Sequence, residues 1–547
     1  MERHLLGGID WAVIGVYFLL TFVVAWWSAR QEKTRSSPAG YFLAGRNVGW
    51  FVIGASMFAS NIGSEHLVGL AGTGAASGVA VGQFEVQASI MILVLAWVFI
   101  PFYLKSGVYT MPEFMERRYG PAARWYLAVV SIIGYVLTKI SVTIFAGAIV
   151  FETLMGVPFW TGALIVVIAT GIYTVFGGMR AVLYTDMFQM FVLIGGSVAV
   201  TAMGLGAIGG WQNLREVAGA GFFSMWHPMT DPNFPWTGIL FGAPILGIWY
   251  WCTDQFIVQR VLSAPDVAQA RGGAIFAGFL KQLPLFIFVI PGVIAYGLVQ
   301  TGRLQLDKPD QALPALVGAL LPAGMRGLVV GGLLAALMSS LSSVFNSCST
   351  LVTWDIYRKL HPGASERHLV RVGQISTAAL VGLGLLWIPF MKLISGQIYQ
   401  YLQSVQAYIS PPITAVFLLG VFWKRINGQG AITTLVTGFL LGMLRLVAEL
   451  FKSRLSPDGW LYNYASVNFL HFSIGLFVIC CATLVLVSLA TPRQPLGQLH
   501  NLTFQTVAAS PIVKENVRVR VLQVGLSLVI LGIIGVVWAY FSGLTWR

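Results

Sequence analysis

The chain is written as long apolar runs separated by short polar ones, and the runs have the length of a bilayer crossing. A helix needs about 20 apolar residues to cross roughly 30 Å of hydrocarbon. Windows of that kind fall near residues 11–27, 48–70, 79–104, 125–151, 158–176, 181–208, 237–255, 272–299, 322–350, 369–391, 398–422, 429–450, 466–490 and 519–542. They predict fourteen membrane helices, spans one to fourteen. No Pro-, Gly- or Ser-rich linker separates soluble units, and the longest polar segments are 209–236, 300–321 and 491–518. A single all-α polytopic membrane domain over residues 1–547 is the simplest account.

Polar residues inside these spans carry the functional signal, because ionisable groups at membrane depth are costly and irregular backbone there is tolerated only around a protein-enclosed cavity. Span two holds Ser56, Ser60, Asn61, Ser64, Glu65 and His66 among Gly54, Gly63 and Gly69. Each glycine weakens a helix by about 0.5–1 kcal/mol relative to alanine, so the span is predicted to break here and release carbonyls for a cation. A helix whose small residues merely allow close packing is the competing reading, and Glu65 with His66 is hard to fit to it. In span seven, Gly242, Pro244 and Gly247 mark a second interruption beside Trp249-Tyr250-Trp251. That aromatic cluster suits either an interfacial belt or a surface on which a ligand stacks. Two discontinuous spans five apart point to an inverted-repeat transporter, spans two to six against seven to eleven, with the binding site between them.

Span nine carries Ser339, Ser340, Ser342, Ser343, Asn346, Ser347 and Ser349, of which Ser339, Ser340 and Ser343 share a face with Ala336. Such hydroxyls serve as helix-to-helix glue or replace the hydration shell of a small hard cation. Glu85, Lys139, Asp186, Lys281 and Gln403 stand isolated in spans three, four, six, eight and eleven. None can face lipid cheaply. Glu85 and Lys281 are expected to pair, which would give hydrogen bonding to a neutral ligand without excess charge.

Composition agrees: 57% of the residues are hydrophobic and 10% charged, and the mean hydropathy is +0.78. The net charge of +13 is spread through the loops and not gathered into a nucleic-acid-binding module. Basic residues favour the cytoplasmic side. Arg30, Lys33, Arg35, Arg46, Lys105, Arg117, Arg118, Arg124, Arg260, Arg271, Arg358, Lys359, Arg367, Arg371, Lys424, Arg425, Arg493, Lys514, Arg518 and Arg520 all fall on one side of a fourteen-span layout. Both termini are therefore expected outside. That layout puts the sequon at Asn501 in the cytoplasm, where it is a chance match. The N-terminus lacks a small-residue cleavage site, so span one is expected to stay in the mature protein. Cys252, Cys348, Cys480 and Cys481 lie in apolar spans with no metal-binding spacing. No nucleophile–base or metal constellation suggests an enzyme.

The segments FASNIGSEHLVGLAGTGAASG (58–78), YTVFGGMRAVLYTDMFQ (173–189), WYWCTDQFIVQRVLSA (249–264), LMSSLSSVFNS (337–347), TWDIYRK (353–359) and SPPITAVFLLGVFWKRINGQGA (410–431) resemble, in order, those of the sodium:solute symporters, and within them the sodium/glucose cotransporters. The resemblance implies a leucine-transporter-type 5+5 inverted repeat: a peripheral first span and loop (1–47), repeats at 48–208 and 237–422, and three peripheral spans at 429–547. It implies a sodium site at Ala59, Ile62, Ala336, Ser339 and Ser340, and a second at Ser60, Asp186, Ser342 and Ser343. Sugar contacts would come from Asn61, His66, Glu85, Lys281 and Gln403, with Tyr250 as a stacking inner gate and Trp251 beside it. Gly247 stands where animal glucose transporters usually have a hydroxyl or amide, and Gln400 where an aspartate is common. These two departures leave the choice between hexoses, or an inositol, open. The short outer loops without cysteines resemble bacterial members.

Such a protein would sit in the cell membrane and carry a neutral sugar inward with sodium by alternating access. A second possibility is sodium symport of another small solute such as proline, pantothenate, iodide or sialic acid; a sugar sensor or channel is a third. One charge moved through 100 mV is worth ~2.3 kcal/mol and a tenfold gradient ~1.4 kcal/mol. One ion would thus sustain roughly 500-fold accumulation, and two ions the square of it.

Overall fold

The computed structural model describes residues 6–30, 43–63, 65–174, 179–394, 397–508 and 516–543. Ser64, Lys33, Arg35, Lys514 and positions 175–178 of the second family-like segment lie outside the described residues. Each of the fourteen windows falls on helical segments. Eleven helices among the described residues are long and apolar enough to cross a membrane, and the shorter apolar helices Phe159–Ile168 and Gly238–Thr253 fall at spans five and seven. Strand-type pairing among the described residues is limited to one isolated bridge, His227 with Pro235.

Span two breaks where the glycines and polar residues placed the break. Its first half, Trp50–Asn61, ends as Ile62 turns to φ −76°, ψ 71°, and the chain resumes as Glu65–Leu70 and Ala71–Ser77. The Gly63 amide donates to Asn61 O at 2.8 Å and the His66 amide to Gly63 O at 3.1 Å. A continuous helix would have sent those two donors to Ala59 O and Ile62 O. Both carbonyls thereby lose their regular helical partners.

Span seven breaks later than its glycines and proline suggested. Gly242, Pro244 and Gly247 are all helical: a π-helical turn, Gly238–Gly242, precedes Ala243–Ile248, and Pro244 sits in the first turn of that segment, where no amide is needed. The interruption falls at Asp254, in extended geometry (φ −74°, ψ 128°). Its carboxylate accepts from the Phe256 amide at 3.1 Å and caps Gln255–Val261. An aspartate competing for backbone donors therefore sets this break, and the upstream Gly and Pro do not.

The first half of span two is embedded against span eight, where Gly54 leaves room for the Gly273 carbonyl and Phe276. Span eleven, Ile398–Phe422, contains Pro411 and Pro412 and is almost wholly buried. It packs on Gly428–Leu450 and Phe469–Ala490, and the absent side chain of Gly442 admits the Tyr408 carbonyl. Arg118, Arg260 and Arg271 are buried, although their positions at span ends read as loop charges. Arg118 donates to Gly420 O at 3.1 Å and Ile426 O at 3.0 Å, so backbone carbonyls take the place of water around it.

Candidate functional site

The break in span two lies beside the last turn of span seven, and Asn61 Nδ2 donates to Tyr250 Oη at 3.0 Å across the junction. A cavity of about 60 Å³ opens there, lined by Asn61, His66, Glu85, Tyr250, Trp251, Lys281 and Gln403 together with Phe84, Met91, Lys139 and Tyr399. Every side chain that the family pattern nominated for sugar faces this one space. Six spans thus contribute polar groups to it, from sequence positions as far apart as 61 and 403.

Glu85 organises the polar wall. It is ion-paired with Lys281, lies 3.2 Å from His66 Nε2 and accepts from Tyr399 Oη at 3.1 Å. Lys281 also donates to Asn61 Oδ1 at 2.5 Å, so the expected Glu85–Lys281 pair forms and reaches the broken helix. The Tyr250 and Trp251 rings, 5.2 Å apart and nearly perpendicular, line the same space. The apolar ring faces and the net-neutral polar rim match a ligand with hydroxyls on its edges and carbon on its faces.

Tyr250 is held from a third direction. Lys139 Nζ donates to its hydroxyl at 2.9 Å and to Glu65 Oε1 at 2.6 Å. Lys139 is therefore an ion-pair partner for Glu65, whose role the sequence left unassigned. Gly247 has its own explanation, since a Cβ there would lie 2.6 Å from Met91 Cγ. Met91 fills the space that a polar side chain would use. Gln400 does not line the central cavity but donates to Asn233 Oδ1 at 2.7 Å.

The oxygens expected at the first cation site are close to the break. Ser340 Oγ is buried and has no hydrogen-bond partner among the described residues, and the carbonyls of Ala59 and Ile62 have lost their helical donors. Ala336 is buried on the same serine-bearing face. Ser339 Oγ instead donates to Asp186 Oδ1 at 2.5 Å. Of the expected second set, Asp186 holds Ser60: its Oδ2 accepts from Ser60 at 2.8 Å, and also from Ser56 at 2.7 Å. Arg260, which the sequence placed in a loop, donates to Asp186 Oδ2 at 3.5 Å and to Ser343 Oγ at 3.4 Å. Ser342 is buried nearby on the same helix. The hydroxyl and carbonyl oxygens of the first set fit a small hard cation; in the second set the Arg260 guanidinium already faces Asp186 and Ser343.

Two carboxyl groups, Asp231 and Asp310, stand in the polar segments outside the spans. A wider pocket of about 530 Å³ is lined by Trp226, His227, Asp231, Asn233 and Phe234. Burial would raise the Asp231 carboxyl, but the amides of Phe234 and Asn233 and the His227 ring hold it below the ordinary carboxylate range. In the 300–321 loop, burial pushes the Asp310 carboxyl up to about 7 against the lowering effects of the Ile398 amide and Lys308. Its Oδ2 accepts from that amide at 3.3 Å, and its backbone lies against Gly72.

A model of the sodium:solute symporter family matches residues 41–438. The sodium/glucose cotransporter 1 of Oryctolagus cuniculus is 40% identical over 532 residues, 90% of this chain and 80% of the relative. The sodium/mannose cotransporter of Bos taurus is 42% identical over 535 residues, 91% and 89% respectively. Among solved structures, a substrate-bound outward-open Na⁺-coupled sialic acid symporter superposes with a TM-score of 0.74 at 20% identity, covering 89% of this chain and 99% of that one. The fold is therefore shared with transporters of the leucine-transporter type.

Proposed function

Since the chain belongs to the sodium:solute symporter family, we propose that it uses inward sodium movement to carry a neutral hexose of the glucose or galactose type across the cell membrane by alternating access. The observation that carries this reading is the shared cavity: Asn61, His66, Glu85, Lys281 and Gln403 converge with Tyr250 and Trp251 on one space between two interrupted helices. The charges there are paired. A neutral polyol is thus favoured over an anionic substrate, which would call for an unpaired cation.

In this scheme sodium enters from outside and is held by Ala59 O, Ile62 O, Ala336 O and the hydroxyls of Ser339 and Ser340. Its presence fixes the two halves of span two in the geometry that presents Asn61 and His66 to the sugar. The sugar then bridges spans two, three, eight and eleven, and the repeats at 48–208 and 237–422 move against one another. Loss of sodium to the cytoplasm frees Tyr250 and lets the sugar follow. Ser60, Asp186, Ser342 and Ser343 would hold a second sodium, and both termini would lie outside.

Reconstitution into proteoliposomes with a panel of labelled sugars, with sodium or potassium outside, tests the proposal. Sodium-dependent accumulation of a hexose is expected; uptake driven equally well by a proton gradient would remove sodium from the scheme. Mannose and inositol belong in the panel. The similarity to a sodium/mannose cotransporter and the space that Met91 takes beside Gly247 both favour a polyol shape other than glucose as the second reading.

A further inference from the structure

Two buried oxygens near the break in span two lack partners, and they meet at one glycine. Glu65 Oε2 and Ser340 Oγ are each buried with no hydrogen-bond partner among the described residues. A Cβ placed on Gly63 would lie 2.9 Å from Ser340 Oγ and in collision with Glu65 Oε2. The other oxygen of the same carboxylate, Oε1, accepts from Lys139 at 2.6 Å, and Lys139 in turn donates to Tyr250 Oη at 2.9 Å. Glu65 is 1% exposed and Lys139 4%, so neither charge is relieved by bulk water.

An unsatisfied carboxylate oxygen at such depth is expensive unless a cation or donor faces it for part of the cycle. Among the described residues no side chain hydrogen-bonds it. The nearest candidate space is the one bounded by Ser340 and the loosened carbonyls of Ala59 and Ile62. We propose that Glu65 is a positioning residue that couples this monovalent-cation site to the Tyr250 gate: Oε2 faces the cation, while Oε1 sets the hold of Lys139 on the tyrosine. With the cation present, Glu65 is shared between two positive charges and Lys139 swings its hydrogen bonding towards Tyr250. When the cation leaves, Lys139 is drawn back to the carboxylate and the tyrosine is released.

This inference rests on the sodium-symport reading, and the two fail separately. Absence of sodium activation in the unmodified protein would overturn the reading itself. Given sodium activation there, the test compares Glu65→Gln with the double variant Glu65→Gln/Lys139→Met, which leaves no unpaired buried charge and is the decisive one if the single variant does not fold. The readouts are the sodium concentration for half-maximal uptake and the half-saturating sugar concentration at saturating sodium. Coupling through Oε2 predicts a rise of about tenfold or more in the sodium value in both variants, since a close charge contributes on this scale in a partly shielded interior, with a much smaller change in the sugar value. If Glu65 were only the counter-ion of Lys139, the double variant would regain the unmodified sodium dependence, and that result would overturn the proposal. A shift confined to the sugar value would overturn it as well.

Discussion

Tyr399 Oη donates to Glu85 Oε1 across 3.1 Å, and the same ring stands edge-on to His66 with centroids 5.8 Å apart. One tyrosine thus steadies two of the groups assigned to the sugar. Replacing it with phenylalanine keeps the ring and leaves a buried carboxylate oxygen one donor short, at a cost of about 1–3 kcal/mol. Tyr399→Phe should therefore raise the half-saturating sugar concentration on the order of tenfold. Uptake kinetics at saturating sodium measure this directly.

The Glu85–Lys281 pair separates stability from recognition. Lys281→Met leaves Glu85 buried without its cation, which typically costs 3–5 kcal/mol, and the purified protein should melt at a markedly lower temperature. Adding Glu85→Gln should restore most of the melting temperature, because no lone charge remains. Sugar uptake should stay lost in both. Recovery of transport by the double variant would show that the pair is structural only.

Gly63→Ala places a methyl group against Ser340 Oγ and Glu65 Oε2. Overpacking of this sort costs about 1–3 kcal/mol, and here it also fills the space assigned to sodium. Sodium activation should weaken more than sugar affinity. Equal effects on both would indicate general distortion of the break.

Asp310 supplies a pH dependence with a definite sign. Its carboxyl titrates near 3.8 when exposed and is raised to about 7 in the folded protein, so between those values the folded state binds the extra proton. Stability from this group is complete at low pH, falls as pH rises from about 4 to about 7, and is constant above. Melting temperature recorded against pH should show that decline, and Asp310→Asn should remove it. A variant curve parallel to the original would assign the slope to other groups.

Much of this organisation is legible in the sequence because membrane depth makes every polar residue informative. The break in span two follows from Asn61, Gly63, Glu65 and His66 standing in an apolar run, and Lys281 had to find a carboxylate. The break in span seven was misplaced because Pro244 falls in the first turn of its helical segment, where its missing amide is tolerated, whereas the competition of Asp254 for backbone donors acts at the true interruption. Partners across the fold carry no local signal: Glu65 and Lys139 are separated by 74 positions. Arg260 reads as a loop charge until the fold turns it towards Asp186. Tyr399 was missed, although its position one helical turn before Gln403 puts the two on one face.

Pro411 and Pro412 lie between the ligand-facing and the opposite end of span eleven, and neither has an amide hydrogen to bond the preceding turn. The end bearing Tyr399 and Gln403 is tied to the central cavity, while the region from Tyr408 onward is clamped by neighbouring helices. The proline pair is thus the place where the backbone ladder of this helix is weakest. Any bending of span eleven is therefore expected midway along it, between the end that lines the cavity and the end packed on Gly428–Leu450 and Phe469–Ala490.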